Sequence, residues 1–281
     1  MHKLRLLRFR NIQHREKEEV NFPKLFVTDL DSTALGGGHR PYARLPNAFS
    51  DFLDKLDSRG CRWAINTAWG TNGQWELVLG SSVKSEPLFL MGETGHRLAV
   101  IKDGEPVPVE PFTSRTEMKM DNSRKEFLYP LVKDISGKFS PEESHFHGYL
   151  FHFIAIPEQS REFLDYFSEK YPSNETLTCR CLEKGIVVYP AFLKKSRNLA
   201  EALRIGGLRP EDVVIAGDNE ADTAMMAPGL AEHAVCPENA GKDVKKHVLD
   251  MGGVVGRGEC AEGVIDAFIR LAEEKGWGWD G

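Results

Sequence analysis

The sequence predicts an α/β protein built on a parallel-sheet core that an inserted α+β segment interrupts. Three observations predict it. Two apolar runs, Leu25-Phe26-Val27 and Val213-Val214-Ile215-Ala216, are β-branched or aromatic enough to be strands buried on both faces. Strand and helix patterns alternate over residues 25–91 and again over 196–274, the signature of parallel winding. Between residues 110 and 190 that alternation breaks down.

Taken in order, residues 1–21 stand apart as an N-terminal extension. Lys3, Arg5, Arg8, Arg10 and Arg15 precede the first acid, with Leu4, Leu6, Leu7 and Phe9 scattered among them. The apolar stretch is too broken for a secretory signal, and the lack of Ser and Thr argues against a transit peptide. The expectation is a segment packed on the surface or mobile. After the strand at Leu25 comes Gly36-Gly37-Gly38, read as a mobile loop and not a phosphate cradle, because no Lys-Ser or Lys-Thr follows. A helix over 46–58 carries Phe49, Phe52, Leu53 and Leu56 on one side and stops at Gly60. A strand over 61–66 ends in Asn66-Thr67-Ala68-Trp69-Gly70; a helix over 75–79 closes at Gly80; a strand over 88–91 precedes Gly92-Glu93-Thr94-Gly95.

In the interrupted stretch the pattern predicts strands over 146–156 and 186–189 and helices over 117–135 and 157–170. Residues 144–153 alternate, so one continuous strand would place His145, His147, Tyr149 and Phe151 on a shared face. Those side chains would either line a substrate cavity or form a half-buried sheet face with satisfied histidines. Winding resumes with a helix over 196–205, the Val213 strand, strands over 233–236 and 254–255, and a helix over 261–274.

Composition narrows the function classes. Hydrophobic residues at 41% and charged residues at 28% are those of an ordinary soluble globular chain, and 281 residues suffice for one large domain or two modest ones. A formal charge of -6 argues against nucleic acid as partner. No apolar run reaches the roughly 20 residues that span a bilayer. The five cysteines are too irregular for a disulfide framework, and Cys179 and Cys181 lack a second Cys or His pair at zinc spacing. A reducing cytoplasm and a monomer or homodimer are the expectations.

Both buried strands run straight into acids: Asp29-Leu30-Asp31-Ser32-Thr33 after the first, Gly217-Asp218-Asn219-Glu220-Ala221-Asp222 after the second. An Asx-turn followed by a capping hydroxyl would explain either alone. Together they point to one site assembled from neighbouring strand ends, where open α/β sheets bind ligands. Carboxylates at the lip of a core are costly unless paired, hydrogen-bonded or on a metal.

The two motifs resemble those of the haloacid dehalogenase-like phosphohydrolases, Asp-x-Asp-x-Thr and Gly-Asp-x-x-x-Asp, each after a strand. With the insert between the second and third motifs, Met225 after the fourth, and Gly95, Gly263 and Val264 in place, the chain resembles the type IIB, Cof-like branch. That branch includes sugar phosphatases, sucrose-phosphate phosphatase and phosphomannomutase. The resemblance implies a Rossmann-like core over 22–110 and 190–281 and an α+β cap domain over 111–189. It further implies Asp29 as nucleophile and Asp31 as general acid and base. Thr67 and Ala68 would bind phosphate, although a helix N-cap is the plainer account of a lone Thr. Of two adjoining lysines, the spacing from Pro190 favours Lys195 over Lys194 as the residue that neutralises the transferring phosphoryl group. Asp29, the backbone carbonyl of Asp31, and Asp218 would ligate Mg²⁺, with Asp222 in support. His145, His147 and Tyr149 of the cap would tune substrate choice.

Three positions depart from the branch pattern: Ser32 for a common Gly, Ala68-Trp69 for a common Gly-Arg, and Ala221 for a frequent Asn. The expected activity is Mg²⁺-dependent hydrolysis of a small phosphorylated metabolite, best matched by a sugar phosphate, through an aspartyl-phosphate. A phosphomutase of the same fold and a non-catalytic binding protein are the alternatives.

Overall fold

The computed structural model describes residues 22–36, 42–139, 143–154, 157–172, 175–182 and 185–279. Residues 1–21 and the second and third glycines of the predicted loop lie outside the described residues. The described residues open with β1 (Leu25–Thr28), α1 (Asn47–Ser58), β2 (Arg62–Asn66), α2 (Thr71–Leu79) and β3 (Phe89–Gly92). These match the winding expected from the sequence to within a few residues. A hairpin that the sequence reading did not include follows, β4 (Arg97–Lys102) and β5 (Glu105–Pro108). Its turn is Asp103-Gly104 with φ of 53° and 80°. Such a pair of left-handed residues is the two-residue turn whose twist suits a hairpin.

The next elements are α3 (Phe112–Ser123), α4 (Tyr129–Lys138), β6 (Glu143–Phe146), β7 (Phe151–Ile154), α5 (Pro157–Lys170), β8 (Leu177–Leu182) and β9 (Gly185–Pro190). A π-helical segment over Arg124–Leu128 joins α3 to α4. Pro130, which has no N–H to donate, stands two residues beyond its end. The chain closes with α6 (Lys195–Gly206), β10 (Val213–Ala216), α7 (Glu220–Thr223), β11 (His233–Cys236), α8 (Lys242–Asp250), β12 (Val254–Val255) and α9 (Cys260–Lys275).

Strands β12-β11-β10-β1-β2-β3 form a parallel sheet in that order, extended by the antiparallel β4 and β5. The chain therefore winds outward in opposite directions from the β1–β10 pair, which makes the crevice at their carboxyl ends the topological switch point. Alternate residues of β1 serve opposite faces. Phe26 joins Phe49 and Phe52 of α1 and Phe268 of α9 in one core. Leu25 and Val27 join Leu199 of α6 and Val244 and Val248 of α8 in the other. Phe26 is fully buried, with ring centroids 5.4 Å from Phe52 and 5.8 Å from Phe268. Burying such a side chain contributes about 1.5–3 kcal/mol.

The second sheet runs β6-β7-β9-β8, antiparallel throughout. Phe151, Phe153, Ile186 and Val188 pack against Leu131 and Ile135 of α4 and Phe163 and Phe167 of α5. Strand alternation sends the intervening side chains to the opposite face. Of the single strand expected over 146–156, residues 155–156 lie outside the described residues, and the rest belongs to a hairpin over 143–154. His147 N–H donates to Leu150 O at 2.9 Å, and Gly148 takes φ 79°. His145 pairs with His152 across the hairpin and keeps its ring 6.1 Å from that of His147, whereas Phe151 pairs with Phe146 on the opposite face. Each partner pair joins an odd-numbered to an even-numbered residue, so the alternation changes phase at the turn.

Candidate active site

Asp29 follows β1 directly, and its N–H still donates to Ala216 O of β10 at 3.0 Å. Beyond it the chain folds back. The N–H groups of Thr33, Ala34 and Leu35 converge on Leu30 O, while Ser32 N–H reaches Leu35 O. This loop holds Ser32 at φ 60°, a left-handed conformation that costs an L-residue about 1–2 kcal/mol. The cost accounts for a common Gly at this position in the resembling sequences.

At the same level β10 runs into Gly217-Asp218. A Cβ on Gly217 would fall 2.4 Å from Asp222 Cβ, so glycine is what lets α7 fold back on the strand end. Asp222 Oδ2 accepts the N–H groups of Asp218 and Asn219, both at 3.0 Å, and Asn219 Oδ1 caps Ala221 N–H at 2.9 Å. Thr33 Oγ1 donates to Asp218 Oδ1 at 2.8 Å, tying the first acidic loop to the second. Sequence reading assigned Thr33 no role, although its place in the first motif was the available signal.

Lys195 begins α6 and is buried, with Asn66 Nδ2 donating to its carbonyl at 2.9 Å. Its Nζ lies 2.6 Å from Asp222 Oδ1 and 2.9 Å from Asp29 Oδ1. Lys194 is exposed, so the structure brings Lys195 and not its neighbour to the acids.

Oxygens of Asp29, Asp218 and Asp222 lie within 4.8 Å of one another. Burial pushes the Asp218 carboxyl up to about 6, helped by Asp222 and Asp29 and resisted by the Thr33 hydrogen bond and Lys195. Burial likewise raises Asp222, with Lys195 opposing and Asp29 adding. For Lys195, burial alone would favour loss of the proton, but Asp222 and Asp29 outweigh it and hold the ammonium above its usual range. One ammonium thus faces three carboxylates. A donor set of carboxylate oxygens without sulfur or imidazole suits a small, hard divalent cation.

Asp29, Asp31, Thr67, Ala68 and Lys195 border one cavity of about 260 Å³, with Arg180, Val187 and Tyr189 of the second sheet along its other walls. Thr67 N–H is committed to Met91 O at 3.0 Å, so what Thr67 can offer an anion is its hydroxyl. Arg180 has no local signal in the sequence, because its place beside the acids depends on how β8 is set in the second sheet.

The predicted cap residues divide. His147 and Tyr149 border a larger cavity of about 690 Å³ together with Trp69, Glu93 and His152. Tyr149 is buried, and its hydroxyl donates to Ala68 O at 3.0 Å. His145 is exposed, lies 3.2 Å from a Glu143 oxygen, and borders neither cavity. Trp69, noted in the sequence only as the loss of a cation, donates its indole N–H to Asp31 Oδ2 at 2.8 Å.

Comparison with known proteins gives a consistent result. A family profile described as haloacid dehalogenase-like hydrolase matches residues 87–264, more than half the chain and including Lys195, Asp218 and Asp222. The comparison with curated proteins gave no match. Among solved structures, the chain is similar to the sucrose-phosphatase of Synechocystis sp. PCC6803, solved with sucrose and phosphate. The identity is 15%, with 91% of this chain and 99% of that chain covered and a TM-score of 0.63. It is similar to a Thermoplasma acidophilum protein at 13% identity, covering 91% and 99%, TM-score 0.62. A haloacid dehalogenase-like hydrolase from Bacillus subtilis matches at 14% identity, covering 90% and 92%, TM-score 0.55. At such identities the likeness establishes the fold.

Proposed function

This chain belongs to the haloacid dehalogenase-like hydrolases, and from that premise we propose that it is a Mg²⁺-dependent phosphomonoesterase working through an aspartyl-phosphate on Asp29. The observation that carries the reading is the buried Lys195 ammonium, 2.9 Å from Asp29 and 2.6 Å from Asp222, beside the cavity that Asp31, Thr67 and Ala68 also border. A cation fixed on a carboxylate nucleophile can neutralise the phosphoryl group as it transfers.

In the first half-reaction Asp29 attacks phosphorus while Asp31 gives a proton to the leaving oxygen. In the second, Asp31 takes a proton from the water that releases phosphate. The Thr67 hydroxyl and the Ala68 backbone hold phosphate oxygens, and Lys195 keeps Asp29 and the phosphoryl group from repelling each other. Asp29, the Asp31 carbonyl, Asp218 and Asp222 would hold Mg²⁺. When bound, the ion supplies the positive charge that an anionic substrate among these carboxylates requires.

Residues 111–189 act as the cap that selects substrate over a core of 22–110 and 190–281. The substrate is a small phosphorylated metabolite, with a sugar phosphate the best match. Support comes from the aromatic and histidine lining of the larger cavity and from the fold shared with a sucrose-phosphatase. Neither nucleic acid nor membrane is a partner in this reading. No helix among the described residues is long and apolar enough to cross a membrane. A cytoplasmic monomer or homodimer completes it.

The test is a panel of phosphate esters assayed with Mg²⁺ and with chelator. Mg²⁺-dependent phosphate release, fastest for one sugar phosphate, is the expected result. No release from any ester would refute the activity, full turnover in chelator would refute the metal, and an isomeric phosphate as the product would make the enzyme a mutase.

A further inference from the structure

We infer that Trp69 is a positioning residue for Asp31: its indole N–H fixes which carboxylate oxygen meets the leaving group and ties proton transfer to the neighbouring cavity. This rests on the phosphatase reading above. The indole Nε1 lies 2.8 Å from Asp31 Oδ2. An indole only donates, so Oδ2 remains an acceptor, and the proton that Asp31 exchanges belongs on Oδ1. Rotation of a carboxylate about its last torsion is broad and nearly two-fold. The Trp69 N–H favours one of these two orientations by holding Oδ2.

Trp69 is itself held. Its carbonyl accepts from Gln74 Nε2 at 2.9 Å and from Glu93 N–H at 3.1 Å, and Gln74 is fully buried. The ring packs against the main core and borders the 690 Å³ cavity with His147, Tyr149 and His152. That cavity and the smaller one containing Asp31 share Ala68, Leu150 and Val187 as walls. A leaving group seated in the larger cavity therefore lies against the residue whose N–H orients the acid.

The Asp29–phosphorus bond forms as the bond from phosphorus to the leaving oxygen breaks. The proton on Asp31 Oδ1 passes to that oxygen, giving a neutral alcohol. Water then attacks phosphorus, its proton goes to Asp31 Oδ1, and the Asp29–phosphorus bond breaks. Oδ2 stays on the indole throughout. The net reaction is ester plus water to alcohol plus phosphate.

Trp69→Phe keeps the ring and removes the N–H. On the best sugar or alkyl phosphate, kcat should fall about ten- to hundredfold with KM within about threefold, a part of what general acid catalysis supplies. On p-nitrophenyl phosphate, whose leaving group needs no proton, the loss should stay under about threefold. Added to Asp31→Asn, Trp69→Phe should cost nothing further, because both changes remove one function. Equal losses on the two substrates, or losses that multiply in the double variant, would overturn the inference and assign Trp69 to packing. A readout free of activity is the ¹⁵N-labelled indole N–H signal, identified by its loss in Trp69→Phe. It should move in Asp31→Ala, and a signal that does not move overturns the contact. A wild-type protein that turns over no phosphate ester removes the functional reading and this inference together. An active protein with equal losses removes the inference alone.

Discussion

Replacing Asp218 with Asn should make the metal-free protein more stable while destroying its activity. The folded environment raises this carboxyl from 3.8 to about 6, chiefly through burial and then through Asp222 and Asp29. At 1.36 kcal/mol per unit the shift corresponds to about 3 kcal/mol, an upper bound because the side chain is partly exposed. The sign follows from proton linkage. The folded value lies above the unfolded one, so the native state binds the extra proton between about pH 4 and pH 6. Stability from this group is complete below pH 4 and is lost as pH rises through 6. Asn carries no charge at any pH, its carbonyl can still accept from Thr33 Oγ1, and its amide can donate to the neighbouring carboxylates. Urea unfolding in chelator, followed by circular dichroism at pH 4, 5, 6 and 7.5, should show the variant gaining up to about 3 kcal/mol at pH 7.5 and almost nothing at pH 4. Mg²⁺ should then stabilise wild type and not the variant, since only the charged site binds it. Equal stability of the two proteins across the pH range, or a less stable variant at pH 7.5, would refute the electrostatic account of the site.

Four further outcomes follow from the same geometry. Lys195→Met leaves Asp29 and Asp222 buried without their shared cation, so the chelated protein should lose about 3–5 kcal/mol by thermal or urea unfolding and nearly all phosphate release. Asp29→Asn should retain the fold, lose several orders of magnitude in rate, and show no adduct by mass spectrometry of acid-quenched enzyme, whereas wild type carries phosphate on Asp29; an adduct elsewhere contradicts the nucleophile. Tyr149→Phe removes the hydrogen bond to Ala68 O, worth about 1 kcal/mol, and should raise KM for the preferred sugar phosphate several-fold. His145→Ala, at an exposed position away from both cavities, should leave KM unchanged; an equal effect of the two substitutions would restore the continuous strand that the sequence suggested.

What could be read from the sequence divides along the range of the interactions involved. The strands β1 and β10 were legible because each is buried on both faces by its own apolar run, and the acids that follow each one could be located by counting from the strand end. The choice of Lys195 over Lys194 came from its spacing after Pro190, and the structure gives the physical reason: the first residue of α6 points inward while the residue before it does not. The hairpin at Asp103-Gly104 was also legible in principle, since two left-handed residues between short β-rich arms are a local signal that the reading passed over. The cap hairpin was harder. The alternation shifts phase between the arms, but the shift falls within His147-Gly148-Tyr149-Leu150, where apolar and aromatic residues on both sides mask it. Three contacts lay beyond any local reading. Thr33 to Asp218 and Trp69 to Asp31 join residues 185 and 38 positions apart, and Tyr149 reaches Ala68 across 81. Each depends on how β1, β2 and the second sheet are placed side by side. That is why the sequence could name the acids but not the indole that orients one of them: the first is a property of a strand and its end, the second of two strands meeting.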